Sequence, residues 1–299
     1  MRIGVFCEPV GLVPFDHLEG VCVAIQDQLR EVCAAWNLDD VTVEPSRARS
    51  DPANVCYVTV SRNPLLSTAF RDPGDDDASP SGEHGPGISG APFAHVRHDV
   101  DDPVQHHWWT VTLSHECIEM AVNPNMDEFV PAPPRPEFAA LPGVGGDGTV
   151  EYLKEICDPC QSGLYAYPWA GAGVDEPIWL SDFLLPGYFD ARSSADRFSF
   201  KGSVRQPLDI LTHGCLTWGV RSTRQMWQQW RLGDGTLTDP RPVALEWPEP
   251  RQEPGAPAPE RRTSLRHDLY GDADYRANRI PDAKRVADAR AALAGGRTT

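Results

Sequence analysis

Lysine is scarce in this chain: 299 residues contain only Lys154, Lys201 and Lys284. Basic residues number 27 against 43 acidic ones, a formal net charge of −16. A phosphate backbone or an anionic lipid surface would repel such a molecule, which argues against non-specific nucleic-acid binding and against membrane docking. Long apolar runs are also missing. No stretch approaches the roughly 20 apolar residues that span a bilayer. Residues 1–10 (MRIGVFCEPV) lack the basic-then-apolar order of a secretory signal, so a cytoplasmic protein is expected. The eight cysteines are scattered, unlike the dense framework of a small secreted domain, and most of them are expected to be reduced and buried. There is no P-loop, dinucleotide-binding fingerprint, nucleophile elbow or internal repeat. Residues 143–148 (GVGGDG) follow no convincing strand and read as a flexible connection.

What is present is a globular composition, 40% apolar and 23% charged, in a chain long enough for a sizeable core. Residues 2–7 form a short apolar run followed by Pro9 and Gly11, a first strand. Across 15–36, Leu18, Val21, Cys22, Ile25, Leu29, Val32 and Cys33 recur every three or four positions, predicting an amphipathic helix with Asp16 as N-cap. Residues 41–45 and 55–61 are β-branched and read as strands. Residues 72–90 are polar and glycine-rich and read as an exposed loop, whereas 91–100 alternate like an edge strand.

A second helix is expected over 108–122, closed by Asn123-Pro124, with Pro/Gly loop at 131–148 and a short helix or turn at 150–157. Residues 164–168 and 178–185 are strand-like, and 208–219 fit either helix or strand. From Asp239 the chain becomes Pro-rich and charged. Residues 239–299 are therefore expected to be a disordered tail, with a terminal helix at 282–294, beyond a domain of 1–238.

The chemistry is concentrated in 110–124, TVTLSHECIEMAVNP. Residues four apart share a helix face, so His115 and Glu119 can bind one ion, and Glu116 reaches the same cleft from the side. This is the geometry of the H-E-x-x-H zinc helix with glutamate as the second ligand. In such a site the metal lowers the pKa of water and the intervening Glu acts as general base. An H-E-x-x-E arises by chance in roughly a few per cent of chains of this composition, so the bland alternative is a helix whose polar face happens to carry these residues. Carboxylate for imidazole makes the site harder, leaving room for manganese or iron beside zinc. A third ligand must come from elsewhere, and residues 155–160 (EICDPC) supply candidates after a glycine-rich connection.

With S-H-E-x-x-E-x-x-x-[ND]-P followed by E-[IV]-x-D-x-C, the chain resembles zincin-like H-E-x-x-E proteins. These are relatives of the plant phosphate-induced (EXORDIUM-like) family and uncharacterised bacterial and phage proteins. Residues 181–189 (SDFLLPGYF) and 90–96 (GAPFAHV) match two further motifs of that group. The resemblance spans about 1–219 in the order of elements, with strong matches confined to the motifs. It implies an α+β zincin-like metalloprotease fold, a small twisted mixed sheet whose edge strand lies beside the active-site helix. It also implies His115 and Glu119 as Zn2+ ligands, Glu116 as base, and Glu155 or Asp158 as third ligand, Asp158 alternatively capping a turn before Pro159.

Tyr165, Tyr167 and Tyr188 are candidates for stabilising an oxyanion, Tyr188 first because it falls inside a matched motif. Cys157 and Cys160 form a lone CxxC, more fitting for packing than for redox chemistry. His106 and His107 point in different directions; His95 and His98 lie on the expected edge strand; His213 is assigned a structural role. Trp108 and Trp109 are expected to pack the helix on the sheet. The expected function is a metal-dependent hydrolase, a peptidase acting on a peptide or protein substrate. The alternative is a zincin-fold binding or structural protein of a larger assembly, contacting its partner through the tail.

Overall fold

The computed structural model describes residues 1–48, 56–62, 82–86, 91–98, 108–138, 141, 144, 149–171 and 176–243. Strand β1 (Arg2–Glu8) turns Ile3, Val5 and Cys7 into the core and pairs in parallel with β2 (Thr42–Ser46) on one side and β3 (Cys56–Ser61) on the other. Strand β5 (Pro92–Arg97) continues the parallel run beside β3, and β4 (Gly82–Pro86) closes it in antiparallel sense. The order is β2-β1-β3-β5-β4. Helix α1 (Phe15–Trp36) and helix α2 (Trp108–Val122) pack on this sheet and on each other, and one core cluster joins Val58, Val60, Ala94 and Val96 to Leu29, Leu113 and Ile118. The expected spacing of α1 holds, but Pro14 stands at its N-cap, with Asp16 in the first turn. Its far end closes on Asn37 in the left-handed conformation, which Asn tolerates better than most residues.

A second sheet follows from β6 (Phe129–Ala132), β7 (Val150–Leu153), β10 (Cys215–Val220), β11 (Gln225–Trp230) and β12 (Arg241–Val243). It is antiparallel throughout, in the order β12-β11-β10-β7-β6. Trp218 and Tyr152 face each other across it, and Phe138 stacks on Trp218 with ring centroids 3.7 Å apart. A hairpin of β8 (Tyr167–Trp169) and β9 (Ile178–Leu180) leans on both helices. Thr110 donates to the Trp179 carbonyl at 2.9 Å, and Ser114 Oγ accepts from the Ser181 amide at 2.8 Å.

The chain is thus mixed α+β, as expected, with several corrections. Residues 82–86, read as part of an exposed loop, form β4, which is the edge strand; β5 lies inside the sheet. Strand pairing and burial against α2 override a composition that favours turns. Residues 150–153 are strand and not helix, 215–220 resolve to strand, and 241–243 pair with β11 inside the span assigned to the tail. Residues 244–299, with the expected terminal helix, lie outside the described residues, as do 72–81, His106, His107 and most of 143–148. Among the described residues no helix is long and apolar enough to cross a membrane. The cysteines are buried and unpaired, as expected.

Candidate metal centre

Helix α2 is buried along its length except at His115 and Ala121, because the sheet, α1 and the β8–β9 hairpin surround it. A helix so enclosed is expected to be apolar all round. Ionisable groups there need partners, since burying an unpaired charge is costly. His115 and Glu119 find each other one turn apart, Nε2 to Oε2 at 3.0 Å. Glu116 and Glu119 are 4% and 2% exposed.

The third segment arrives where the chain leaves β7. Glu155 is buried, and Cys157 opens a 3-10 turn, Asp158–Cys160, whose geometry Pro159 favours. Asp158 Oδ1 lies 3.5 Å from His115 Nε2. The Cys157 amide donates to Glu119 Oε1 at 2.9 Å, so turn and helix are hydrogen-bonded directly. Gly214 presses on this turn: a Cβ there would collide with the backbone of Pro159. Both third-ligand candidates therefore reach the cluster.

Sequence reasoning missed three contributors. His84, on β4, places Nδ1 at 3.3 Å from Glu116 Oε2 and 3.7 Å from Glu119 Oε2, and Nε2 at 3.6 Å from Glu155 Oε2. Asn123 is an organising residue besides a helix stop. Its Oδ1 accepts the amides of Asp127 and Glu128, both at 2.9 Å, and its Nδ2 donates to Glu155 Oε1 at 3.1 Å. Cys157 offers its sulfur within 4.8 Å of donor atoms of His115 and Glu119. A hint of Asn123 was available in NPN after the helix, a favoured Asx-turn composition; His84 sat in a stretch with no periodicity to mark it.

The electrostatics follow from four carboxylates facing two imidazoles. Among the described residues every ion pair made by Glu116, Glu119, Glu155 and Asp158 is to His84 or His115. Burial opposes charge on His115, but Glu119, Glu116 and Asp158 outweigh it and raise its pKa to about 10. His84 is raised likewise, against its own burial, by Glu116 and Glu119. Burial pushes Glu119 up, yet the two imidazoles and the Cys157 amide hold it at about 2. Asp158 is pushed up to about 8, and Glu155 well above the usual range, by burial and neighbouring carboxylates. Asp158 Oδ2 is buried with no well-directed hydrogen bond, the Cys215 thiol standing beside the carboxyl. An orphaned oxygen, surplus carboxylates and two imidazoles make a donor set suited to a divalent cation.

Other candidates lie elsewhere. Tyr188 is fully buried, and its hydroxyl donates to the Asp209 carbonyl at 2.8 Å; its described contacts do not join it to the cluster. Tyr167 accepts from Gln28 at 2.9 Å. Cys160 is buried. His95 meets Ser61 Oγ at 2.6 Å, and His98 packs on Trp109. Trp109 joins the main core while Trp108 packs with Val111, Ala166 and Trp179, toward the hairpin. Compared with family models, curated proteins and solved structures, the chain matches none.

Proposed function

We propose that this chain is a zincin-type metalloprotein that binds a divalent cation through His115 and Glu119, with Asp158 or Cys157 completing the set. In this reading it hydrolyses peptide bonds with Glu116 as general base. Zinc is the first choice of ion, with manganese and iron as alternatives. The observation that carries the reading is the convergence of residues from three distant segments, 84, 115–119 and 155–158, on one buried cluster whose carboxylates, among the described residues, have only histidines as charged partners. The sheet supports it: it is mixed, and its edge strand β4 packs beside the motif helix, as the zincin resemblance implies. The cation would polarise a carbonyl and lower the pKa of water. Glu116 would take up the proton, its Oε2 steadied by His84 Nδ1. Substrate would approach past His115, whose side chain is the most open of the set at 11%. Strand β4, outermost in its sheet among the described residues, offers an edge to which extended peptide backbone can add.

The near-complete burial of the four carboxylates favours a second reading, a closed metal site in a binding or structural protein. Metal content and hydrolysis of casein or a mixed peptide library, measured on wild type and Glu116→Gln, separate the two. Hydrolysis that requires metal and disappears in Glu116→Gln with the ion retained supports the peptidase. Bound metal without hydrolysis favours the closed site. Absence of metal after incubation with zinc or manganese sinks both.

A further inference from the structure

Building on the metal reading just given, we propose that the cluster holds two divalent cations, the second on His84 and Glu155, with Glu119 shared between them. Two overlapping donor sets are present. One is His115, Glu119 and Cys157, with Asp158 adjacent; the other is His84, Glu119 and Glu155; the donor atoms within each set lie within 4.8 Å of one another. Glu119 stands between them, its Oε2 at 3.0 Å from His115 Nε2 and 3.7 Å from His84 Nδ1.

The orientation of each group suits a bridged pair. Glu119 Oε1 is fixed by the Cys157 amide, and Glu155 Oε1 by the Asn123 side chain. Each carboxylate is thus held through one oxygen and turns the other toward His84. The imidazole lies among these carboxylates: Nδ1 faces Glu116 Oε2 at 3.3 Å and Glu119 Oε2 at 3.7 Å, and Nε2 faces Glu155 Oε2 at 3.6 Å. Nε2 also lies 3.3 Å from the Asn123 carbonyl.

The four buried carboxylates have only the two histidines as described ion-pair partners. Two divalent ions balance four carboxylates when all are ionised, and one does not. Excess charge in so buried a place is costly. A carboxylate shared by ions about 3.5–4 Å apart is the usual construction of a two-metal centre.

The test uses the full chain, stripped with chelator, loaded with manganese or zinc alone and desalted. Elemental analysis is expected to give two ions per chain in wild type, one in Glu155→Gln, one in His115→Ala and none in Glu119→Ala. Low-temperature electron paramagnetic resonance of the manganese form is expected to show an exchange-coupled pair. One ion per chain in wild type, with an uncoupled spectrum, overturns the second site whatever the variants do. If that single ion is lost in His115→Ala and kept in Glu155→Gln, the one-metal reading stands alone. No ion in wild type removes both.

Discussion

Nδ1 of His84 lies 3.3 Å from Oε2 of Glu116, and through this contact the outermost strand of the first sheet reaches the helix that carries the metal motif. The approach is possible because Gly82, two residues earlier on β4, has no side chain: a Cβ there would run into Thr112 and the Glu116 carboxylate. Gly82→Ala should therefore force strand and helix apart at an overpacking cost of about 1–3 kcal/mol. Gly85→Ala on the same strand would meet only Met126 Sδ at 3.5 Å, an ordinary contact. Thermal unfolding of the two variants is the check; equal midpoints would refute this account of Gly82.

His84→Ala leaves buried carboxylates without one of their two imidazole partners. In metal-free protein it should destabilise by about 3–5 kcal/mol, the range for breaking a buried ion pair from one side. Urea unfolding in the presence of chelator measures it. A loss below about 1 kcal/mol, the scale of exposed pairs, would mean that His84 does not compensate this charge.

The pH response of metal-free protein has a definite sign. Glu119, held at about 2, gives stability that is complete above the ordinary carboxylate range and lost as pH falls through about 2. Asp158, pushed up to about 8, stays protonated in the fold while the unfolded chain ionises it, so its contribution is lost as pH climbs from its ordinary value of 3.8 to about 8. His115, raised to about 10, contributes fully below its ordinary value of 6.5 and progressively less up to 10. Between pH 6.5 and 8 the last two act together, and from 8 to 10 His115 acts alone, so the melting temperature with chelator should fall across the whole range. With zinc the trend should flatten or reverse, because binding displaces protons and strengthens as pH rises. Parallel curves with and without zinc would contradict a metal at this cluster.

Asn123→Ala removes the donor that fixes Glu155 Oε1 and the acceptor for two loop amides. Orientation by such outer partners is worth about 10–100-fold in metal affinity. Competition with a zinc chelator should show a drop of that size; an unchanged affinity would mean that Glu155 is not a ligand.

Tyr188→Phe should cost about 1 kcal/mol, one hydrogen bond to the Asp209 carbonyl, and leave metal content and any hydrolysis unaltered. A selective loss of turnover with normal stability would return Tyr188 to the oxyanion role that its motif suggested.

The parts of the site that are legible in the sequence follow a local rule. His115 and Glu119 are one helical turn apart in a segment closed by Asn123-Pro124 that reads as a helix, and Glu155 and Asp158 sit in a short acidic motif whose proximity to the helix is needed to complete a ligand set. His84 obeys no local rule. GEHGP contains no β-branched residue, and it becomes a strand only because β5 supplies the ladder and α2 the cover. For the same reason 91–100 reads from sequence as the edge: nothing local marks 82–86 as a further strand beside it. In the second sheet, β7 is four residues long, too short to display a period of two against one of 3.6.

The spread of the donors along the chain has a consequence for biosynthesis. Residue 84 comes from β4, residues 115–119 from α2, and 155–158 from beyond β7, so no fragment ending before Asp158 contains the whole set. Contacts of such sequence separation close late in folding. During translation most of the first sheet would be complete before the last donors leave the ribosome. Ion capture would then be an event of the finished tertiary structure, and a nascent chain would be protected from loading the wrong metal early.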